Sequence, residues 1–119
     1  MCHTVEGTGA SVGPALDGWG RGKAADVIAA AIINPDGDIA QGFGGTELTT
    51  TDGLVIQGLL IKQGDPLMMR SMGGITQIIP ADRVERRRNM GSTSLMIGAA
   101  ALGLTAQDVA DLVAFLQGS

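Results

Sequence analysis

The stretch that decides the fold is residues 46–88, TELTTTDGLVIQGLLIKQGDPLMMRSMGGITQIIPADRVERRR. Short β-branched or aliphatic runs alternate in it with turn signals: Asp52-Gly53, Gly64-Asp65-Pro66, Gly73-Gly74 and Pro80-Ala81-Asp82. Turns recurring every 8 to 12 residues or so mark an antiparallel meander, because strands of ordinary length fit between them. The pattern predicts strands over 46–51, 54–62, 66–71, 75–79 and 83–88. Asp52-Gly53 is the clearest hairpin signal, since both central positions of a type I′ turn need positive φ and Asp-Gly tolerates it.

Five strands of this length predict a small antiparallel barrel, SH3-like or Sm-like, spanning residues 46–88. Helices flank it. Ala24 to Asn34 is rich in alanine and isoleucine, carries Asp26 in its first turn and stops before Pro35, where a helix could not continue. Near the other end, Thr105 is an N-cap with Asp108 at the third helical position, and the helix runs to about Gln117. Its apolar residues Val109, Leu112, Val113 and Leu116 recur at helical spacing, with Phe115 on the flank, so one stripe is buried. No partner for that stripe is evident in the sequence. Residues 1–23 are rich in glycine, hold Pro14 and show no periodicity, which reads as a loop wrapped on a template.

Composition sets limits on function. The chain has 119 residues, which predicts one domain over 1–119. A net charge of −4 disfavours nucleic acid or an anionic membrane surface as the main partner, since both are held by clustered Lys and Arg. No apolar run reaches the length of a membrane span, and no signal peptide stands at the front. Hydrophobic residues make up 45% of the chain, yet it has one Trp, two Phe and no Tyr. Either small aliphatics fill the core, or a flat apolar cofactor supplies the missing volume. A single cysteine makes no internal disulfide and is a buried thiol, an attachment point or a ligand.

That cysteine stands in Met1-Cys2-His3, with Gly7, Gly9 and then Gly13-Pro14-Ala15-Leu16 following. Cys-His with a Gly-Pro turn about ten residues on matches the tail of the C-x-x-C-H haem attachment signature. Together with Trp19-Gly20-Arg21, Ser94-Leu95-Met96 and the closing Leu104-Thr105…Leu116, these residues resemble a class I c-type cytochrome. The resemblance is to the planctomycete and verrucomicrobial haem-binding domain with a β-rich insert before its methionine loop. It covers essentially the whole chain and departs at two points: the first attachment cysteine is absent, and so is the helix that precedes it in the family. Ile97 also stands where such proteins often have proline. A cysteine three positions before Cys2, with a helix before that, is accordingly expected in the full polypeptide.

The resemblance implies an α+β fold: class I cytochrome c-like helices around one haem, with the barrel inserted. It implies one covalent haem c, with Cys2 forming a thioether, His3 and Met96 as axial ligands, and the carbonyl of Pro14 orienting the His3 ring. The other reading of Cys2 is a small buried apolar residue, and of His3 a satisfied histidine. Met96 competes with Met1, Met68, Met69, Met72 and Met90, and the resemblance selects it for its place before the last helix. Trp19 and Arg21 offer an indole N–H and a cation to haem propionates, or are a half-buried tryptophan beside a solvated arginine. Arg83, Arg86, Arg87 and Arg88 read as an edge guarded by charge, or as a docking patch for an acidic partner.

With both axial positions taken, electron transfer is implied and not catalysis. The implied partner is a redox protein or a fused dehydrogenase domain, and the implied location lies outside the cytoplasmic membrane. A rival expectation is an interaction module built on the strands, with structural haem or none; a labile Met96 would instead allow a gas-sensing or peroxidatic haem.

Overall fold

The computed structural model describes residues 2–119. The element order is β1 (Thr4–Val5), β2 (Thr8–Gly9), α1 (Ala25–Ile33), β3 (Thr46–Thr50), β4 (Val55–Lys62), β5 (Leu67–Ser71), β6 (Thr76–Ile79), β7 (Val84–Asn89) and α2 (Ala106–Gly118). Strands β3 to β7 form one antiparallel sheet in the order β6-β5-β4-β3-β7, while β1 and β2 make a separate two-stranded hairpin. Each strand of the large sheet lies within a residue or so of the span its sequence predicts.

The architecture corrects the expected fold class. Class I cytochrome c-like helices around a haem, with a barrel inserted between them, are not what the chain builds. Its main body is the five-stranded antiparallel sheet, and the described residues contain only two α-helices. β6 and β7 stand at the two ends of the sheet's strand order. The reason lies in the residues: outside 25–33 and 106–118, glycine and proline recur too often for long helices, and the runs between them are rich in β-branched residues or, at 83–88, in arginine.

Two cores follow from this division, and the molecule is elongated, 47 × 27 × 21 Å. In the sheet, Leu67 and Met69 alternate with outward-facing residues and bury one face against Leu48 and Ile79. The second core joins the helices: Ile28 and Ile32 of α1 meet Val109, Val113 and Leu116 of α2, with Ala99 beneath. The partner missing from the sequence reading of α2 is therefore α1. Full burial of an aliphatic side chain such as Ile28 contributes about 1.5–3 kcal/mol, so this contact fixes the helix pair.

The ends of the helices behave as their residues dictate. Asp108 N–H donates to Thr105 Oγ1 at 3.1 Å and Thr105 N–H donates to Asp108 Oδ2 at 2.8 Å, a complete capping box. α1 stops where Asn34 N–H closes on the Ala30 carbonyl, one residue before Pro35.

Two turns differ from expectation. The β3–β4 loop is four residues long, with Gly53 at φ 89° and Gly53 N–H donating to the Thr50 carbonyl; Asp52 is not at positive φ, so the turn is not type I′. Thr50 explains the longer loop, because its hydroxyl bonds Asp52 and accepts from Leu54 N–H. The type I′ pattern occurs instead at Glu6 (φ 50°) and Gly7 (φ 76°), where it joins β1 to β2 in a segment that reads as plain loop.

Candidate functional site

The β1–β2 hairpin and the loop after it form one wall of a cavity of about 850 Å³. The wall is held by backbone bonds: Gly13 N–H donates to the Cys2 carbonyl at 2.6 Å, Ala10 N–H to the His3 carbonyl at 3.3 Å, and Leu16 N–H to the Thr4 carbonyl at 3.0 Å. Asp17 adds a side-chain tie by accepting from Glu6 N–H at 2.8 Å. The template inferred for residues 1–23 is thus partly the segment itself.

His3 is the most constrained side chain of this wall. Its Nδ1 lies 2.8 Å from the Pro14 carbonyl, and a carbonyl only accepts, so Nδ1 carries the proton. In the neutral ring this tautomer leaves the lone pair on Nε2, the arrangement a metal-binding imidazole requires. The ring also touches backbone: a Cβ on Gly13 would stand 2.5 Å from His3 Cε1 and 2.7 Å from Nδ1. Glycine is required there by close approach.

The opposite wall is the loop before α2. Ser94 N–H donates to Asp36 Oδ1 at 2.7 Å, Met96 N–H to Ser94 Oγ at 3.0 Å, and Ala99 N–H to the Ile32 carbonyl at 3.1 Å. These bonds hang the loop on the C-terminal end of α1 and bring Met96 to the cavity. Among the described residues Met96 is the one methionine that lines it. Met90 is buried elsewhere, where its sulfur would lie 2.6 Å from a Cβ on Gly45. Met68 and Met69 belong to the sheet, Met72 follows β5, and Met1 lies outside the described residues.

Of the residues singled out in the sequence, His3, Pro14, Trp19 and Met96 converge on this cavity. Cys2 and Arg21 do not line it. Arg21 borders a second, smaller cavity of about 550 Å³ together with Glu6, Asp17 and Phe115. The cation at the main cavity is Lys23, whose Nζ sits 4.8 Å above the centre of the Trp19 ring. Its backbone is pinned by Gln117 Nε2, which donates to the Lys23 carbonyl at 3.1 Å. Sequence reading passed over Lys23 because the glycine-rich run Gly20-Arg21-Gly22 sets no periodicity; its place four residues after the chain's one tryptophan was the available signal. Phe43 was also missed as a lining residue, and α2 contributes Leu112 and Phe115, 40% and 56% exposed. These are the flank of the helix that α1 does not cover.

The cavity is therefore apolar over most of its surface, with the His3 imidazole, the Met96 thioether, the Trp19 indole N–H, Lys23, Asn34 and Asp38 as its polar or soft groups. Its volume falls in the roughly 300–1,000 Å³ range of cofactor sites. Among the described residues no group of three or more His, Cys, Asp or Glu converges to hold a bare metal ion. His3 and Met96 offer one imidazole nitrogen and one thioether sulfur to the same cavity, a donor pair that fits a porphyrin iron.

No helix of the described chain is long and apolar enough to cross a membrane. No family profile matches the chain, and no curated protein is significantly similar to it.

Proposed function

We propose that the chain is a mono-haem electron carrier, holding one haem c through His3 and Met96 on a sheet-dominated fold, with Cys2, next to His3 in the chain but outside the cavity lining, as the thioether. The single observation that carries this reading is that His3, its Nδ1 held at 2.8 Å by the Pro14 carbonyl, and Met96 line the same 850 Å³ apolar cavity. When bound, haem iron supplies one-electron chemistry at a potential set by its ligands. Pro14 keeps the His3 ring in the tautomer that leaves Nε2 to donate, Met96 offers a soft thioether, and Trp19, Phe43, Leu112 and Phe115 exclude water. Lys23 stands where a carboxylate on the ligand's rim would be neutralised. The role is relay to a redox partner or fused dehydrogenase domain, outside the cytoplasmic membrane.

A reduced-minus-oxidised spectrum of the purified protein, joined to intact-mass analysis, tests the proposal. Sharp reduced α and β bands with a covalent mass increment support it; a protein-only spectrum after expression with haem maturation sinks it.

One observation favours a second reading, an interaction module built on the sheet. Residues 71–81 are uncharged, and Ile75 and Ile78, beside and on the edge strand β6, are 62% and 64% exposed. A protein without haem that captures a partner along β6 would favour this alternative.

A further inference from the structure

We propose that the turn between β5 and β6 is the seat of the Cys2–His3 segment, and that Met72 and Gly74 are positioning residues for it. The redox consequence rests on the haem reading above; the seat itself does not, since it concerns only contacts within the chain.

Three contacts, from three residues of one turn and its approach strand, meet the segment from 2 to 11. The Cys2 thiol donates to the Met72 sulfur at 3.7 Å, seventy residues away in sequence. Gly74 has φ 82°, and a Cβ on it would stand 2.8 Å from Ala10 Cβ, so turn and segment approach as closely as atoms allow. Arg70 Nη1 donates to the Ser11 carbonyl at 3.4 Å.

The segment transmits what it receives. Ala10 N–H is bonded to the His3 carbonyl, Gly13 N–H to the Cys2 carbonyl, and Gly13 abuts the His3 ring. Displacing Ala10 therefore moves the backbone that aims the imidazole. Met72 is 40% exposed, so its own burial does not explain its position. Its thioether is a flexible apolar cover laid over the Cys2 sulfur. The sheet, which has its own core, is in this way keyed to the cavity through one turn.

Gly73 provides the control. It has φ 83°, matching Gly74, but a Cβ on it meets nothing within 4 Å. Both glycines have φ near +80°, so alanine strains the backbone at either position, and only Gly74→Ala adds the contact with Ala10.

The experiment uses the full chain without haem and measures the rate at which a small disulfide reagent labels Cys2, with the His3 ring proton resonances as a second readout. Exposure of the thiol sets the rate, so Met72→Ala should label about fivefold faster and Met72→Leu should stay near the parent. Gly74→Ala should speed labelling and shift the His3 resonances, Gly73→Ala should do neither, and Ala10→Gly should rescue Gly74→Ala. Equal behaviour of Gly73→Ala and Gly74→Ala, or an unchanged rate in Met72→Ala, overturns the proposal. Should Gly74→Ala fail to fold, the Met72 pair decides. In haem-loaded protein Met72→Ala should shift the reduction potential and Met72→Leu restore it. Labelling effects as described in a chain that takes up no haem would leave the seat standing and remove only the haem reading.

Discussion

Gly13 and His3 are in contact through the imidazole ring, so closely that a methyl group on Gly13 would lie 2.5 Å from His3 Cε1. The ring has no room to turn on that side, and Pro14, the next residue, holds it by the carbonyl. Gly13→Ala should therefore drive the ring off the Pro14 carbonyl, at an overpacking cost of about 1–3 kcal/mol. Loss of the slowly exchanging Nδ1 proton signal, with reduced haem uptake, checks it.

Met96 and Met90 separate ligation from packing. Met96→Ala should leave haem attached, lower its potential and let the reduced protein bind carbon monoxide, because a soft ligand is lost. Met90→Ala removes a side chain that is 6% exposed and should destabilise by roughly 2–5 kcal/mol, with the iron–sulfur absorbance near the red edge retained. If Met90→Ala abolishes that band while Met96→Ala keeps it, the ligand assignment fails.

Lys23 and Arg21 make opposite predictions although they are two residues apart. Lys23→Gln should weaken retention of an anionic ligand and raise its salt sensitivity, since Lys23 lines the main cavity and Arg21 the other. Arg21→Gln should change neither, as ligand release at graded ionic strength will show.

The acid limb of stability should report Glu47. A side-chain hydrogen bond from Gln57 at 2.8 Å, and then one from Arg88, hold its carboxyl below the ordinary range, with an Arg88 ion pair at 3.2 Å. Because the folded-state pKa is the lower one, the contribution is present above the unfolded value of about 4 and is lost as pH falls below it. Glu47→Gln should therefore be less stable than the parent near neutral pH, with the gap closing in acid. Thermal midpoints measured across that range check the sign.

Thr105 offers a test of the helix that closes the cavity. Thr105→Ala removes the side-chain half of the capping box and should cost about 0.5–2 kcal/mol. A denaturant midpoint measures it, and haem uptake should be unaffected because Thr105 is not a lining residue.

What the sequence determined by itself was local. Alternation and turn residues placed the five strands of 46–88, Pro35 ended α1, and Thr105 with Asp108 started α2, because each depends on residues within a few positions. The pairing of Pro14 with His3, and the place of Met96 on a cavity wall facing the same space as His3, were legible through a motif resemblance. The charged edge was legible too, since four arginines in 83–88 suit a strand with one open side, and β7 has one.

Only the tertiary structure decided the rest. That the sheet dominates, with two helices packed on each other beside it, depends on which faces meet across the chain, and a one-dimensional pattern does not record that. The type I′ turn fell at Glu6-Gly7 and not at Asp52-Gly53 because the Thr50 hydroxyl captured the second loop, a competition between side chain and backbone that dipeptide preference ignores. Lys23 reached the cavity in place of Arg21 because Gly22, at φ 79°, turns the chain between them. Met72 came to rest on Cys2 because a turn seventy residues away packed against the first hairpin, and long-range contact of that kind is set by packing alone.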